Sequence, residues 1–274
     1  MLHLGDSEFA RIACVARKEA GLCFAADKRA FVTRRLQHRV RETGAHGFSD
    51  YLDIIEDRGL AGREERLRFV SALTTNVTAF FREPHHFHIL AQLFEAEARS
   101  GPERRPIDVW SVGCSTGEEP LSVAALALAR FGSAWSRHVR ILATDVDAEA
   151  LTVAHRRGPD DPLPSAFPAQ AAAFLSDAAH HEDLTIADLM RGIVFKRHNL
   201  HDALPSRPTF DAILCRNVLI YFDREAAATA QRRLAASLRP GGLLFLGHSE
   251  RLDPALRDFK LIGATTYRHK TGGF

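Results

Sequence analysis

The chain has 274 residues, of which 46% are hydrophobic and 26% are charged. This composition is typical of a globular protein and allows one large domain or two smaller ones. The formal charge of +2 is too small to indicate nucleic-acid binding by itself. We therefore predict two domains, in which any basic surface is a local feature.

The cysteine spacing and the N-terminal sequence indicate the cellular compartment of the protein. Cys14, Cys23, Cys114 and Cys215 include no C-x-x-C pair, which argues against a zinc site and against a disulfide framework. Residues 1–11 carry acidic side chains where a signal peptide needs a basic start. The chain also lacks the roughly 18 uninterrupted apolar residues of a membrane span. These features predict a cytoplasmic protein that is not inserted into a membrane.

Residues 5–75 show only helical periodicity. In the segment FVTRRLQHRVRETG the apolar residues recur at the spacing of one helix face. Asp27 is placed to cap this helix at its start, and Gly44 is placed to end it. This region is predicted to be a small all-helical unit.

The helix predicted at residues 28–41 is basic and contains no acidic residue. One interpretation is an ordinary solvated face, because runs of surface charge are common. The other is a docking face for an acidic helix or for a nucleic-acid backbone, and the chemistry of the active site must decide between these partners. The residues chosen for such a face are Lys28, Arg34, Arg35 and Arg39.

After residue 105, apolar strands alternate with helices. Strands are predicted at IDVWSV, VRILATD, FDAILC and GGLLFLG, with helices at 118–131, 147–156 and 223–238. Continuous apolar strands separated by helices indicate a parallel sheet covered on both faces. The last two strands are separated by only two residues, so they must run antiparallel. We predict a Rossmann-like α/β sheet that is parallel with a reversed final strand.

Residues 158–192 interrupt this alternation with a segment rich in Pro and Asp. We predict a helix at 169–178, a polar turn SDAAHHED, and strands at LTIADL and GIVFKRH. This segment would be a small inserted β-subdomain. The predicted domains are therefore an N-terminal helical domain at 1–78 and a sheet domain at 79–274.

The turn after the first sheet strand carries an unusual charge. In a parallel sheet this turn usually cradles the ligand, and a dinucleotide site needs G-x-G-x-x-G before a free helix N-terminus. Here Gly113 and Gly117 follow the spacing G-x-x-x-G, and Glu118 and Glu119 occupy the first helical turn. Those carboxylates would repel a pyrophosphate and favour a ligand that carries a cation.

A nucleoside site is indicated at the end of the second strand. In ATDVD, Asp145 is placed to accept hydrogen bonds from ribose hydroxyls. A nucleoside with a cationic tail that lacks phosphate describes S-adenosylmethionine. The fourth strand ends in Arg216, Asn217 and Val218 instead of the Asn/Asp-Pro-Pro-aromatic arrangement that holds a neutral amine. Methylation of nucleobase nitrogens is therefore disfavoured.

Five segments together resemble the CheR-type chemotaxis receptor methyltransferases over nearly the whole chain. They are LTTNVTAFFREPHHF, SVGCSTGEEPLSVA, ATDVDAEAL, FDAILCRNVLIYFD and RPGGLLFLGHSE. The resemblance implies methyl transfer from S-adenosylmethionine to glutamate side chains on the cytoplasmic helices of chemoreceptors, with S-adenosylhomocysteine as the product. The acidic partner implied for the basic helix is then a receptor rather than a nucleic acid.

The resemblance also implies roles for particular residues. Arg82 would pair with a carboxylate, of either substrate or cofactor, and Tyr221 would hydrogen-bond a substrate oxygen. Spacing alone does not separate Glu118 from Glu119, so both are kept. The predicted cofactor contacts are Asn76, Thr78, Arg82, Gly113, Glu118, Glu119, Asp145, Asn199, Leu200, Arg216 and Asn217.

Two features depart from a simple transfer of family properties. Residues 158–160 read Gly-Pro-Asp where family members that bind a receptor peptide have G-x-Y, which argues against peptide-tethered docking here. A module that binds S-adenosylmethionine without methyl transfer, or an RNA or small-molecule methyltransferase, remains an alternative. Adjacent His85 and His86 should face different sides of a helix that starts after Pro84, so we predict no metal site.

Overall fold

The computed structural model describes residues 2–99, 105–158, 161, 163–165, 167–175, 185–204 and 209–271. The N-terminal part is helical, as predicted, with α1 (Asp6–Ala20), α2 (Arg29–Glu42), α3 (Phe48–Glu56) and α4 (Leu60–Leu73). These helices enclose their own core, which includes the fully buried Leu36, Tyr51 and Phe69. Helix α5 (Pro84–Ala98) belongs instead to the core of the sheet through Phe87, Leu90 and Phe94.

At the start of α2, the structure contradicts the prediction that Asp27 caps this helix. Asp27 lies in a short 3₁₀ turn, Ala26–Lys28, and no side chain caps α2 at Lys28. Asp27 instead lies 3.6 Å from the Lys28 ammonium. The predicted end is confirmed, because Gly44 follows the helix with φ +74°, a conformation that glycine adopts without strain.

The second part contains a seven-stranded sheet in the order β3-β2-β1-β4-β5-β7-β6. Its strands are β1 (Ile107–Val112), β2 (Val139–Asp145), β3 (Ile193–Arg197), β4 (Phe210–Cys215), β5 (Leu238–Leu246), β6 (Phe259–Gly263) and β7 (Thr266–His269). Strands β1 to β5 pair in parallel, while β7 pairs antiparallel with both β5 and β6. The predicted Rossmann-like sheet with a reversed final strand is confirmed.

Helices cover both faces of this sheet. They are α6 (Glu118–Phe131), α7 (Ala148–Arg156), α8 (Phe167–Ala172), α9 (Ile186–Met190) and α10 (Arg224–Ala236), together with α5. Helix α6 is buried at every residue from Pro120 to Ala129, which explains its run of small and aliphatic residues. Its predicted bounds of 118–131 are correct. None of the helices in the described ranges has the length and apolar character needed to cross a membrane.

The inserted segment differs from its prediction. Residues 186–189 of the predicted strand LTIADL belong to helix α9 instead, because Thr185 and Asp188 cap its first turn reciprocally. Ile186 and Leu189 are both buried, and their spacing of three residues suits one face of a helix. The strand predicted at GIVFKRH does form, but as β3 of the main sheet. The described residues of 158–192 contain no strand within the insertion, and the turn SDAAHHED lies outside the described residues.

Candidate functional site

A pocket opens at the carboxyl ends of the parallel strands, facing the N-terminal helices. It contains about 980 Å³ of empty space, counted out to its open mouth. The predicted site residues that line it are Asn76, Thr78, Arg82, Gly113, Glu119, Asp145, Asn199, Leu200, Arg216, Asn217 and Tyr221.

The glycine turn after β1 forms one wall of this pocket. Gly113, Ser115 and Gly117 all have positive φ, so the chain reverses direction within five residues. A Cβ on Gly113 would lie 2.3 Å from a methyl carbon of Val218, so a larger residue would displace the loop after β4. The Ser115 amide donates a hydrogen bond of 2.7 Å to Asp145 Oδ2, which fixes the turn against the end of β2.

The two glutamates at the start of α6 point to different surroundings. Glu118 accepts hydrogen bonds from Arg157 and from Thr116, and it is not among the pocket residues. Glu119 lines the pocket and accepts a hydrogen bond of 2.6 Å from the Ser111 hydroxyl. Burial raises the pKa of Glu119, while the nearby Arg216 opposes that shift. Of the two glutamates, Glu119 is therefore the one that lines the pocket.

Arg216 connects several parts of the pocket. Its guanidinium lies 3.1 Å from Glu119 Oε2 and 3.5 Å from Glu83 Oε2, and it also donates to the backbone oxygen of Arg82. The Arg216 side chain is only 3% exposed, and its Nε has no protein partner. Arg216 thus joins the loop after β4 to α6 and to the segment before α5.

Asp145 is held at the pocket floor by backbone groups. Besides the Ser115 amide, the Asp147 amide donates to its Oδ1 at 2.8 Å. Burial raises the pKa of Asp145, and these two hydrogen bonds oppose that effect. Because a carboxylate oxygen accepts more than one hydrogen bond, Asp145 retains acceptor capacity toward the pocket.

Asp147, which the sequence analysis missed, fixes the segment between the helical and sheet parts. Its carboxylate accepts hydrogen bonds from Ser71, from Thr74 at 2.6 Å and from the Asn76 side-chain amide at 2.7 Å. It also accepts from two amides at the start of α7. Burial opposes ionisation, but the hydroxyl and amide donors hold the pKa of Asp147 below its ordinary value. Asn76 therefore lines the pocket while its amide nitrogen braces the connection.

A second residue missed by the sequence analysis is Glu250, which orders the loop after β4. Its carboxylate accepts hydrogen bonds from the backbone amides of Asn217, Val218 and Leu219 at 2.8 to 3.0 Å. Asn217 has φ +59°, a strained conformation for a residue with a side chain. The acceptor lies about 30 residues away from this loop in sequence, so spacing alone gives little sign of it. The sequence clue to this residue was the motif GHSE, which ends in Glu250.

The two residues predicted to act on substrate both line the pocket. Arg82 donates a hydrogen bond of 2.9 Å to the backbone oxygen of Val77, which keeps its guanidinium beside segment 74–79. Tyr221 packs partly against the N-terminal core, and its backbone oxygen accepts from the Cys23 amide at 3.0 Å. Arg82 and Tyr221 therefore approach the pocket from separate segments of the chain.

The residues after β3 complete the pocket. Asn199 donates a hydrogen bond of 3.0 Å to the backbone oxygen of Glu19, which connects this strand end to α1. Leu200 is buried against the second sheet core. His198, not predicted from sequence, also lines the pocket, and its Nε2 is buried without a protein partner. The sequence clue to this position was that His198 is the last residue of the predicted strand GIVFKRH.

The predicted basic docking residues on and beside α2 are not equivalent. Arg39 is mostly buried and donates to both Glu65 oxygens, at 2.9 and 2.6 Å, so it holds α2 to α4. Lys28 and Arg34 are exposed. Arg35 is half-buried, and its Nη2 lies 3.5 Å from the Thr75 hydroxyl. The docking prediction for Arg39 is corrected, because its charge is already neutralised inside the helical unit.

The structure brings His85 and His86 together, contrary to the prediction that they face different sides of the helix. Glu83 precedes α5 with φ +56°, and Pro84 is the first residue of the helix, as predicted. Glu83, His85 and His86 each place one ligand atom so that all three lie within 4.8 Å of one another. His85 and His86 thus each bring one ligand atom to the same small volume at this helix start.

Comparison with known proteins agrees with this geometry. Residues 76–268 match the family described as CheR methyltransferase, SAM binding domain, and residues 7–74 match CheR methyltransferase, all-alpha domain. The chain is 41% identical to the chemotaxis protein methyltransferase of Klebsiella aerogenes, covering 97% of this chain and 90% of that protein. It is 40% identical to those of Salmonella typhimurium and Escherichia coli, again over 97% of this chain, and covers 91% and 92% of them. The chain therefore belongs to the CheR family of S-adenosylmethionine-dependent methyltransferases.

Proposed function

We propose that the protein transfers a methyl group from S-adenosylmethionine to glutamate side chains on the cytoplasmic helices of chemoreceptors. The products are glutamate methyl esters and S-adenosylhomocysteine, and the substrate places the reaction in the cytoplasm. The observation that carries this proposal is the convergence of segment 74–82, the glycine turn and the ends of β2 and β4 on one pocket. Residues 1–78 act as the receptor-facing helical domain and 79–274 as the methyltransferase domain.

The pocket residues fit such a cofactor. Glu119 and Asp145 supply carboxylates for an ammonium group and for ribose hydroxyls, respectively. Arg82 and Arg216 supply guanidinium groups for a carboxylate. The buried Nε2 of His198 and Nε of Arg216 have no protein partner, as expected where a polar ligand completes the hydrogen bonding. Asn199 and Leu200 form the wall assigned to the adenine ring.

The reaction requires positioning more than acid–base catalysis. When bound, S-adenosylmethionine supplies a sulfonium methyl group; a carboxylate oxygen forms the new C–O bond as the C–S bond breaks. A glutamate with a reference pKa of about 4.3 is already ionised at neutral pH, so no general base is needed. Arg82 orients a carboxylate, and Tyr221 donates a hydrogen bond to the substrate oxygen that does not attack. Positioning alone can contribute roughly 7–11 kcal/mol to lowering the barrier.

The basic surface of α2 supports an acidic protein helix as the partner. We define this basic face as Lys28, Arg34, Arg35 and Arg41, which excludes Arg39 because of its pairing with Glu65. Attraction between this face and acidic methylation helices raises the encounter rate and is screened by salt. We assign no peptide-tethered docking to the insertion, because residues 158–160 read Gly-Pro-Asp where peptide-binding family members have G-x-Y.

Incubation with methyl-labelled S-adenosylmethionine and a receptor cytoplasmic fragment tests the reaction. We expect base-labile methyl esters on the fragment, lost when the methyl-accepting glutamates are changed to alanine. Cofactor binding without ester formation would instead indicate a sensor. Turnover on RNA or on a small molecule, with none on receptor, would indicate another class of methyltransferase.

Charge reversal tests the basic face. The double variant Arg34→Glu/Arg41→Glu should raise KM for the receptor fragment about three- to tenfold at low salt, because long-range attraction is lost. The difference should shrink as salt is added, while cofactor affinity stays constant. Arg63→Glu, an exposed change on α4, is the matched control. An unchanged KM at low salt would leave the basic face as an ordinary solvated surface.

A further inference from the structure

A compact group of ligand atoms lies at the start of α5, beside the cofactor pocket but outside its lining. Glu83, His85 and His86 each offer one atom, and these atoms lie within 4.8 Å of one another. Glu83 Oε2, His85 Nε2 and His86 Nδ1 are all buried, and none has a hydrogen-bond partner in the protein. Three buried polar atoms without a hydrogen bond in one small volume are unusual, and the 3.5 Å ion pair of Glu83 Oε2 with Arg216 only partly compensates for this.

The contacts of His86 Nε2 favour one tautomer of this ring. His86 Nε2 lies 3.2 Å from the backbone oxygen of Ala264 and 3.1 Å from the Thr265 hydroxyl, and we assign the proton to Nε2 because the carbonyl oxygen can only accept. His86 is 1% exposed, so its ring is shielded from water. The neutral ring therefore presents a lone pair at Nδ1. A histidine that donates one ring nitrogen to a carbonyl and leaves the other free has the arrangement usual for a metal ligand.

The atom opposite that lone pair is also an acceptor. His86 Nδ1 lies 3.5 Å from Glu83 Oε2. The two oxygens of Glu83 lie 3.5 Å from Arg216 and 3.1 Å from His248, which suits a carboxylate. With the proton on His86 Nε2, Nδ1 and Glu83 Oε2 are both acceptors, and the nearest cation to that oxygen is Arg216, at 3.5 Å. Tetrahedral zinc bonds of about 2.0–2.1 Å would separate such ligand atoms by about 3.4 Å, close to this distance.

We propose that Glu83, His85 and His86 form a binding site for a divalent transition-metal cation of the zinc type. The donor set of two imidazoles and one carboxylate suits Zn²⁺ and leaves one coordination position open. His248 lies 3.1 Å from the other Glu83 oxygen and is largely exposed, so it is free to turn toward that position.

Arg216 couples this site to the cofactor pocket. Its guanidinium lies 3.5 Å from Glu83 Oε2, the same oxygen that faces His86. A bound cation would compete with Arg216 for Glu83 and weaken their ion pair. Because Arg216 also holds Glu119 and the Arg82 backbone, the cation should lower methyl transfer reversibly. The charge of Arg216 opposes cation binding, so we expect micromolar rather than nanomolar affinity.

The test is a titration of the chelator-treated full chain with Zn²⁺ in competition with a chromophoric indicator. We expect one ion per chain for the wild type and an affinity at least about tenfold lower in Glu83→Gln and in His85→Ala. Both variants keep His86, whose contact with Ala264 supports the fold. His88→Ala, an exposed change on the next turn of α5, should bind like the wild type.

Two further readouts make the result decisive. Co²⁺ should give the visible absorption of a four-coordinate site in the wild type and in His88→Ala, and lose it in His85→Ala. Zn²⁺ should inhibit methyl transfer by the wild type but not by His85→Ala. Equal Zn²⁺ affinity in all four proteins would place the ion on other histidines and overturn the proposal, as would the lack of a saturable site below about 100 μM.

Discussion

Charged residues cluster at both ends of the sheet, but they are more completely paired at one end than at the other. At the amino end, Asp108 of β1 and Asp211 of β4 pair with Arg105, Arg140 and Arg239. Asp211 accepts from Arg105 at 2.7 and 2.5 Å and from Arg239 at 2.8 Å. Asp108 accepts from Arg239 at 3.0 Å and from Arg140 at 2.9 Å. None of these five side chains is among those with a buried, unpartnered polar atom.

At the carboxyl end the charges are only partly paired. Glu119 and Arg216 contact each other, yet both line an open pocket, and the Arg216 Nε lacks a partner. Asp145 and His198 line the same pocket. The difference teaches that charge alone does not mark the functional end of the sheet. The distinguishing feature is hydrogen-bonding capacity that the protein itself does not use.

The largest expected contrast comes from removing one arginine at each end. Arg82→Ala should lower kcat/KM by about 10²- to 10³-fold and weaken cofactor binding, because it removes a charged donor from the pocket. Arg105→Ala, at the amino end, should leave kcat/KM within about twofold. Its side chain is half-exposed, so its ion pairs contribute only about 1 kcal/mol or less to the free energy of unfolding. Steady-state kinetics and urea unfolding measure the two effects.

The second-largest effect is expected from removing the contacts that join the helical unit to the carboxyl end of the sheet. Asp147→Ala removes the acceptor for Ser71, Thr74 and Asn76 as well as the cap of α7, so we expect a loss of about 3 kcal/mol in the free energy of unfolding. Cofactor affinity should fall too, since segment 74–79 loses its brace. Glu149→Ala, an exposed change on the same helix, should cost only about 0.5 kcal/mol.

The pH dependence of the free energy of unfolding tests whether the charge of Asp147 stabilises the fold. Its pKa is lowered in the folded state, so its carboxylate stabilises the fold above the unfolded-state pKa. That stabilisation is lost as the pH falls through the folded-state pKa. The difference in free energy of unfolding between wild type and Asp147→Asn should therefore be largest near neutral pH and shrink in acid. A difference that does not change with pH would show that the charge of Asp147 is unimportant.

The sheet was more predictable than the contacts that position the site. Strand and helix alternation depends on local apolar patterns, and the bounds of α6 follow directly from Gly117 and Gly132 at its ends. Arg39 and Arg34 look alike in the sequence of α2, because the partner that buries Arg39 lies 26 residues away. Asp147 likewise reads as an ordinary helix cap, and its contact with Ser71 spans 76 residues.

Tyr221→Phe should give a smaller effect at the carboxyl end. We expect kcat to fall about tenfold with cofactor affinity within about twofold, because only the hydrogen bond to the substrate oxygen is removed. Tyr267→Phe is a matched control, since that hydroxyl accepts from the Leu252 amide at 3.3 Å and Tyr267 is not a pocket residue. Full activity of Tyr221→Phe with receptor as substrate would assign the positioning role to another residue.

The smallest expected effect is the response of kcat to pH between about 6.5 and 9. A rate that depends on a general base rises about tenfold per pH unit below the pKa of that base. The nucleophile proposed here is already ionised throughout this range. Burial lowers the pKa of the pocket residue His198, so its ring is neutral, and burial raises the pKa of Cys114, so its thiol stays protonated. No charge change by these two groups should therefore alter the reaction.

We accordingly expect kcat at saturating cofactor and receptor to vary by less than about twofold from pH 6.5 to 9. Measuring kcat instead of kcat/KM matters, because the basic face and the receptor both influence encounter. Circular dichroism at each pH provides the control for partial unfolding. A rise of tenfold per unit anywhere in this range would require a titrating base at the carboxyl end, and His198→Gln would then be the first variant to test, since His198 is the pocket's histidine among the described residues.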